Sequence, residues 1–99
     1  MVKHIVLFQL KDELTAQEKN EIYLQFKQGI EALPSQIPSI KQIFVGRNVN
    51  PDEAWDICLN GDFATLEEVV AYGKNPIHLK VSVALKPHLK GRSCVDYEF

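Results

Sequence analysis

Two histidines and a tyrosine are the residues of this sequence whose types and positions could carry acid/base chemistry. His78 and Tyr72 lie on either side of Asn75-Pro76 in the stretch YGKNPIHLKV, and His4 lies near the start of the chain. A neutral imidazole can act as a general base near pH 7. A phenol can donate a hydrogen bond to a carbonyl oxygen or an enolate. These groups indicate a candidate catalytic site for proton transfer at a carbonyl compound.

The Asn75-Pro76 pair predicts how His78 is placed. Asparagine is favoured as a helix N-cap and proline as the first helical residue, so a helix should restart here with His78 as its third residue. The partial positive charge of a helix N-terminus disfavours an imidazolium, and apolar surroundings act in the same direction. We therefore expect His78 to be neutral at pH 7, and the break to let Tyr72 turn toward the same cavity.

The elements that must position these residues follow from hydrophobic periodicity. Two capping-box patterns, Thr15 with Glu18 and Thr65 with Glu68, each predict a helix start. Strands are predicted over residues 2–10, about 40–49, about 54–63 and 93–99. The resulting order is that of a ferredoxin-like βαββαβ sandwich of the α+β class, with a four-stranded antiparallel sheet in one domain spanning residues 1–99.

The first strand is predicted to be covered on both faces, because both carry apolar residues. If the face that contains His4 meets the helices, His4 and His78 line one mostly apolar pocket that suits a small-molecule ligand. The candidate pocket-lining residues are Val6, Phe8, Ile22, Phe26 and Leu66. The other sheet face would stay open in a monomer, and a second copy covering it predicts a homodimer and a dimeric α+β barrel.

Composition and spacing argue against several other classes of protein. The net charge is -2 with no basic run, so we expect no nucleic-acid partner. The apolar run at the start is too short for a leader or a membrane span, which favours a cytoplasmic protein without a membrane partner. Cys58 and Cys94 match no metal spacing and are interpreted as packing residues. No ligand spacing joins the histidines and no glycine-rich phosphate loop is present, so we expect neither a metal nor a cofactor.

Three stretches resemble the stress-responsive dimeric α/β-barrel (Dabb) domain family. They are MVKHIVLFQLKDELT at the start, ATLEEVVAYGKNPIHLKV after the third strand, and VDYEF at the end. The resemblance spans nearly the whole chain. It implies a homodimer whose two four-stranded sheets form a central barrel, in a family where most members have no assigned activity.

A characterised plant cyclase of this family closes a polyketide chain without a metal or an organic cofactor. The resemblance implies that its catalytic histidine corresponds to His78, its tyrosine partner to Tyr72 and its first-strand histidine to His4. Two positions depart from that cyclase, since Phe26 stands where it has a tyrosine and Leu89 where it has a tryptophan. These departures leave the substrate open.

Three functions remain as hypotheses. The first is a small-molecule-binding homodimer with cofactor-free lyase or cyclase chemistry, in which His78 is the base, Tyr72 orients the substrate and His4 assists. The second is a structural or stress-associated dimer without catalysis, whose cavity would be filled by side chains such as Phe26. The third, borrowed from other dimeric barrels, is a cofactor-free monooxygenase or a haem-degrading protein.

Overall fold

The computed structural model describes residues 1–99 as a four-stranded antiparallel sheet with three α-helices. The sheet order is β2-β3-β1-β4, so the first strand lies inside the sheet and the last strand at one edge. This order confirms the predicted ferredoxin-like arrangement. The elements are β1 (Val2–Leu10), α1 (Ala16–Glu31), β2 (Ile40–Arg47), β3 (Ile57–Phe63), α2 (Leu66–Lys74), α3 (Pro76–Leu85) and β4 (Leu89–Glu98).

Alternation along β1 separates a covered face from an open face of the sheet. His4, Val6 and Phe8 are buried, whereas Ile5 and Leu7 between them are only partly buried. Successive side chains of a strand point to opposite faces, so the buried set meets the helices. The first strand therefore presents His4, on the same face as Val6 and Phe8, to the layer that holds the helices.

The junction of α2 and α3 is built by Asn75. Its backbone is extended (φ -65°, ψ 129°), its side chain accepts a hydrogen bond from the amide of Ile77, and Pro76 is the first residue of α3. The predicted N-cap and proline start are confirmed, and His78 is the third residue of the helix. Because the chain changes direction at Asn75, residues on either side of it need not lie on one helical face.

Three strand boundaries differ from the sequence prediction by two residues or more. The second strand ends at Arg47 and the third begins at Ile57, because residues 48–56 form a loop held by side-chain hydrogen bonds of Asn48. The last strand begins at Leu89 rather than at residue 93. It pairs with β1 along the whole length of that strand, with an irregularity at Gln9/Leu10. This pairing extends the strand to residues whose types are not typical of strands.

The two cysteines lie on opposite sides of β1, Cys58 in β3 and Cys94 in β4, and both are free. The strands that carry them are not neighbours, and no disulfide joins the two cysteines. In addition, no helix has both the length and the apolar character needed to cross a membrane.

Replacing Asn75 with alanine should destabilise the start of α3. The variant loses the side-chain acceptor for the Ile77 amide, and losing an N-cap costs about 1 kcal/mol. Urea unfolding at one fixed protein concentration measures the loss. The control is Asn75→Asp, which keeps an acceptor and should stay close to wild type; an alanine variant as stable as the aspartate variant would contradict the capping role.

Candidate functional site

A cavity of about 580 Å³ lies between the covered sheet face and the helices. Its volume is within the range of small-molecule sites, and half of its lining residues are hydrophobic. The cavity contacts β1, α2, α3 and β4 together with one residue of α1 and one residue of β3. Its lining includes six residues predicted for the site, namely His4, Val6, Phe8, Phe26, Tyr72 and His78.

The rings of Tyr72 and His78 lie side by side at one end of this cavity. Their centroids are 4.3 Å apart, and the ring planes are inclined by 48°. Tyr72 is 2% exposed, and neither its hydroxyl oxygen nor the Nδ1 atom of His78 has a hydrogen-bond partner, although both atoms are buried. Leaving a buried polar atom unpaired costs about 1–3 kcal/mol, so two such atoms together indicate a place where a ligand binds.

Burial sets the protonation states of this pair. It lowers the pKa of His78, and the positive charge of Arg92 acts in the same direction, whereas a backbone contact with Gly73 opposes them. Burial also raises the pKa of the Tyr72 phenol far above its usual value. At neutral pH, His78 therefore has a free lone pair and Tyr72 keeps its proton, which is the combination required of a base beside a hydrogen-bond donor.

His4 is held by a carboxylate that the sequence reasoning missed. The Nδ1 atom of His4 lies 2.5 Å from Oδ1 of Asp96, its register partner on β4. A carboxylate accepts the Nδ1 proton, so the Nε2 atom of a neutral His4 carries the lone pair. The His4 ring also meets the Tyr72 ring edge to face at a centroid distance of 6.0 Å.

Cys94 completes a group of three potential metal ligands with His4 and Asp96. Their ligand atoms lie within 4.8 Å of one another, although no ligand spacing in the sequence joins these residues. Around a tetrahedral Zn²⁺, nitrogen and oxygen ligands would be about 3.3 Å apart given the usual bond lengths. The 2.5 Å separation of His4 and Asp96 is shorter than that and brings the two side chains together as a short hydrogen-bonded pair. The group is therefore built as a hydrogen-bonded pair with a neighbouring thiol.

Two predicted pocket residues lie elsewhere. Ile22 borders a smaller cavity of about 160 Å³ between α1 and α3, where Gly29 and Val81 meet. Leu66 is in the first turn of α2 and is 51% exposed, beside residues from both chain ends. Helical period does not identify the element that packs opposite a side chain, and neither Ile22 nor Leu66 lines the main cavity.

The residues that sequence reasoning missed come mainly from β4. Arg92 is the register partner of Phe8 and lines the cavity, while Cys94 pairs with Val6 and Asp96 with His4. These three residues are spaced two apart and therefore share one face of the strand. Because the last strand of a ferredoxin-like sheet lies beside the first, this spacing could have identified them as neighbours of the site. The cavity itself is open, so Phe26 does not fill it as the non-catalytic hypothesis required.

Acidification should weaken the fold through His78. Its pKa is lowered in the folded protein, so below the unfolded value of about 6.5 the unfolded chain binds more protons and the free energy of unfolding falls. Urea unfolding of wild type and His78→Gln between pH 8 and pH 5 tests this. The stability of wild type relative to the variant should decline by at most about 1.4 kcal/mol per pH unit; parallel pH profiles would contradict the prediction.

Several known proteins are similar to this chain in sequence or in fold. Olivetolic acid cyclase from Cannabis sativa is 27% identical over 81 residues, which cover 79% of this chain and 76% of the cyclase. A dimeric protein of unknown function and ferredoxin-like fold from Bacteroides fragilis has a TM-score of 0.96 and 45% identity, covering 99% of this chain and 95% of that chain. Hydroxynitrile lyase from Passiflora edulis shares the fold, with a TM-score of 0.73 and 17% identity over 97% of this chain and 90% of that chain.

The family match covers almost the whole sequence. Residues 2–99 match the family described as Stress responsive A/B Barrel Domain, abbreviated Dabb. The sheet order, the single layer of helices and the cavity below them all belong to the same stretch of chain. The chain is therefore a member of the Dabb family.

Proposed function

We propose that this protein binds an apolar carbonyl compound and catalyses proton transfer at the carbon beside the carbonyl, in a reaction of the lyase or cyclase type. The observation that carries the proposal is the adjacent pair of buried, unpartnered groups, the Tyr72 hydroxyl and the His78 Nδ1 atom. One is a donor suited to a carbonyl oxygen, and the other is an acceptor suited to a proton. A bound ketone would satisfy both at once.

The chemical step uses only groups of this chain. His78 takes a proton from the carbon next to the substrate carbonyl, and the electron pair of the broken C–H bond forms an enolate whose oxygen accepts a hydrogen bond from Tyr72. The enolate carbon then attacks a second carbonyl of the substrate, forming a C–C bond. The resulting alkoxide takes the proton back from His78, which restores the neutral imidazole.

His4 assists from the neighbouring strand. Its hydrogen bond to Asp96 fixes the orientation of the ring, and its Nε2 lone pair is free to accept a hydrogen bond from a substrate hydroxyl. Asp96 is thus a positioning residue that acts through His4.

Two relatives support the class of reaction, although not the substrate. One is named as a cyclase and the other as a hydroxynitrile lyase. The phenylalanine at position 26 and the leucine at position 89 both line the cavity, so the departures from the plant cyclase noted above are in contact with any bound ligand. The substrate is therefore expected to differ.

Deuterium exchange tests the proton transfer without knowledge of the natural substrate. In D₂O, wild-type protein should accelerate exchange of the protons beside the carbonyl of 2-octanone, followed by ¹H NMR. Removing the base in His78→Ala should lower the protein-dependent rate about 10²-fold or more, and Tyr72→Phe should lower it by a comparable factor.

His88→Ala is the matched control, because His88 lies outside the main cavity and borders the one between α1 and α3. It should exchange the probe at the wild-type rate. Exchange by His78→Ala at the wild-type rate, or no acceleration by wild type, would refute the proposed chemistry and favour a non-catalytic dimer.

We also infer that the protein is a homodimer formed through the open sheet face. This face carries the large apolar residues Phe44, Val95 and Tyr97, which are 59%, 54% and 48% exposed. They surround Ile5 and Leu7 of β1, and an apolar patch of this kind on a single chain usually marks an interface. Three of the solved relatives are described as dimeric.

The cytoplasm is the compartment we propose for this dimer. The assignment is supported by the two free cysteines on non-adjacent strands, which need no oxidising environment.

Charge on the open face should separate the two copies. Leu7 lies near the middle of that face, so Leu7→Lys places an ammonium group where two apolar sheets would meet. We expect size-exclusion chromatography with light scattering to give a dimer for wild type and a monomer for this variant. Leu24→Lys on α1 is the control, since Leu24 is 52% exposed on a helix, and it should remain dimeric. A dimeric Leu7→Lys variant would place the interface elsewhere.

A further inference from the structure

We propose that His4, Cys94 and Asp96 form a binding site for one divalent cation of the zinc type, at the edge of the sheet beside the cavity. The three side chains belong to β1 and to its neighbour β4, which is an edge strand. No step of the proposed function uses Cys94 or a metal ion, so the site goes beyond that function. Its existence does not depend on whether the proton transfer occurs.

The pairing of β1 with β4 brings the three donor groups to one point. Asp96 is the register partner of His4, and Cys94 lies two residues before Asp96, opposite Val6. Residues two apart on a strand point to the same face, and directly opposed residues have Cβ atoms about 5 Å apart. The donor atoms of all three side chains consequently lie within 4.8 Å of one another.

The distances to the thiol fit a tetrahedral cation. The sulfur of Cys94 lies 3.7 Å from Nδ1 of His4 and 3.9 and 4.0 Å from the two carboxylate oxygens of Asp96. With the usual zinc–ligand bond lengths, a sulfur ligand would be about 3.6 Å from either of the other donors. Only the pair of His4 and Asp96 must change, by opening from 2.5 Å to about 3.3 Å.

Asp96 can make this small movement. Its side chain is 28% exposed on the edge strand, and its side-chain hydrogen bonds are with the two other proposed ligands. The ring of His4, by contrast, is buried and packs edge to face against Phe63 and Tyr72, with centroid distances of 6.2 and 6.0 Å. The imidazole is therefore a fixed ligand, and the carboxylate turns on the solvent side, where a cation would enter.

The donor set selects the kind of cation. A thiolate, an imidazole and a carboxylate suit Zn²⁺ or Co²⁺, whereas Mg²⁺ and Ca²⁺ prefer oxygen ligands alone. The thiolate and the carboxylate together neutralise a divalent cation, so the guanidinium of Arg92, which hydrogen-bonds the Cys94 sulfur, does not face an excess of positive charge. Hydrogen bonds of this kind orient and stabilise metal ligands. Three protein ligands leave the fourth tetrahedral position to water.

Binding exchanges protons for the cation. The thiol of Cys94 loses its proton to solvent. Nδ1 of His4 gives up the proton that it donates to Asp96, and the neutral ring then carries a proton on Nε2 instead. In the proposed function this Nε2 atom accepts a hydrogen bond, so the bound cation would change it to a donor. That consequence rests on the proposed function, whereas the metal site itself does not.

Cobalt absorption tests the site. Reduced wild-type protein titrated with CoCl₂ should develop a saturable sulfur-to-cobalt charge-transfer band in the near ultraviolet, with one Co²⁺ bound per chain. Zn²⁺ should remove the band by competition and should raise the Tm, because a cation that binds only the folded state stabilises it. Weak absorption without the charge-transfer band, or one cation per two chains, would overturn the proposal.

Two variants and a matched control identify the ligands. Cys94→Ser should abolish the band, and Asp96→Asn should weaken Co²⁺ binding at least about tenfold while keeping the band at saturation. Cys58→Ser should bind Co²⁺ like wild type, because Cys58 is the other free cysteine and lies in β3, which is not adjacent to β4. A band that persists in Cys94→Ser, a band that is lost in Cys58→Ser, or an unchanged affinity in Asp96→Asn would each contradict the site.

The cobalt titration and the deuterium exchange are independent measurements. A cobalt band in a protein that does not accelerate exchange of 2-octanone would leave the metal site standing and refute the reaction. Exchange by a protein that gives no band would do the reverse.

Discussion

The hydrogen bond from the Ile77 amide to the Asn75 side chain is the interaction on which the site depends. In one continuous helix, residues six apart are separated by about 120° around the axis and could not share a cavity. The break after Lys74 removes that constraint, and the rings of Tyr72 and His78 lie 4.3 Å apart. Proline lacks a backbone N–H, but the first residue of a helix does not use its N–H in the helix. Pro76 can therefore start the new helix without the loss of a hydrogen bond. A local capping motif thus creates a contact that helical geometry alone would forbid.

The strand β1 gives this contact its surroundings. Its covered face carries His4 and the apolar residues that continue the cavity, while its open face carries Ile5 and Leu7. Because the side chains of one strand alternate between faces, a single strand serves the site and the inferred dimer contact together. A one-residue shift in its pairing would exchange the two faces, so the register of β1 with β3 and β4 protects both features.

The cavity is polar where Tyr72 and His78 meet, and half of the residues that line it are hydrophobic. Such an arrangement disfavours the empty protein, because buried groups of Tyr72 and His78 lack partners. A fold optimised for stability alone would pair or replace these groups. Their retention fits a molecule in which a bound ligand supplies the missing partners, and local rules are commonly broken in this way at functional sites.

The sequence by itself determined the features that depend on neighbouring residues. The strand period placed His4 on one face with Val6 and Phe8, and Asn75-Pro76 predicted the helix restart with His78 as its third residue. The βαββαβ order followed from the succession of these local signals. Capping, alternation and helix breaking act over a few residues, so they can be deduced from a short stretch of chain.

Only the tertiary structure decided which distant residues meet. Asp96 reaches His4, and Arg92 enters the cavity, because β4 pairs with β1 from Leu89 onward, four residues before the predicted start. Ile22 lies between two helices, and Leu66 is exposed. An apolar stripe on a helix predicts that one face is buried, but it does not predict which element covers that face. Strand register and helix packing depend on the contacts of the whole chain, and residues 90 positions apart become neighbours only through them.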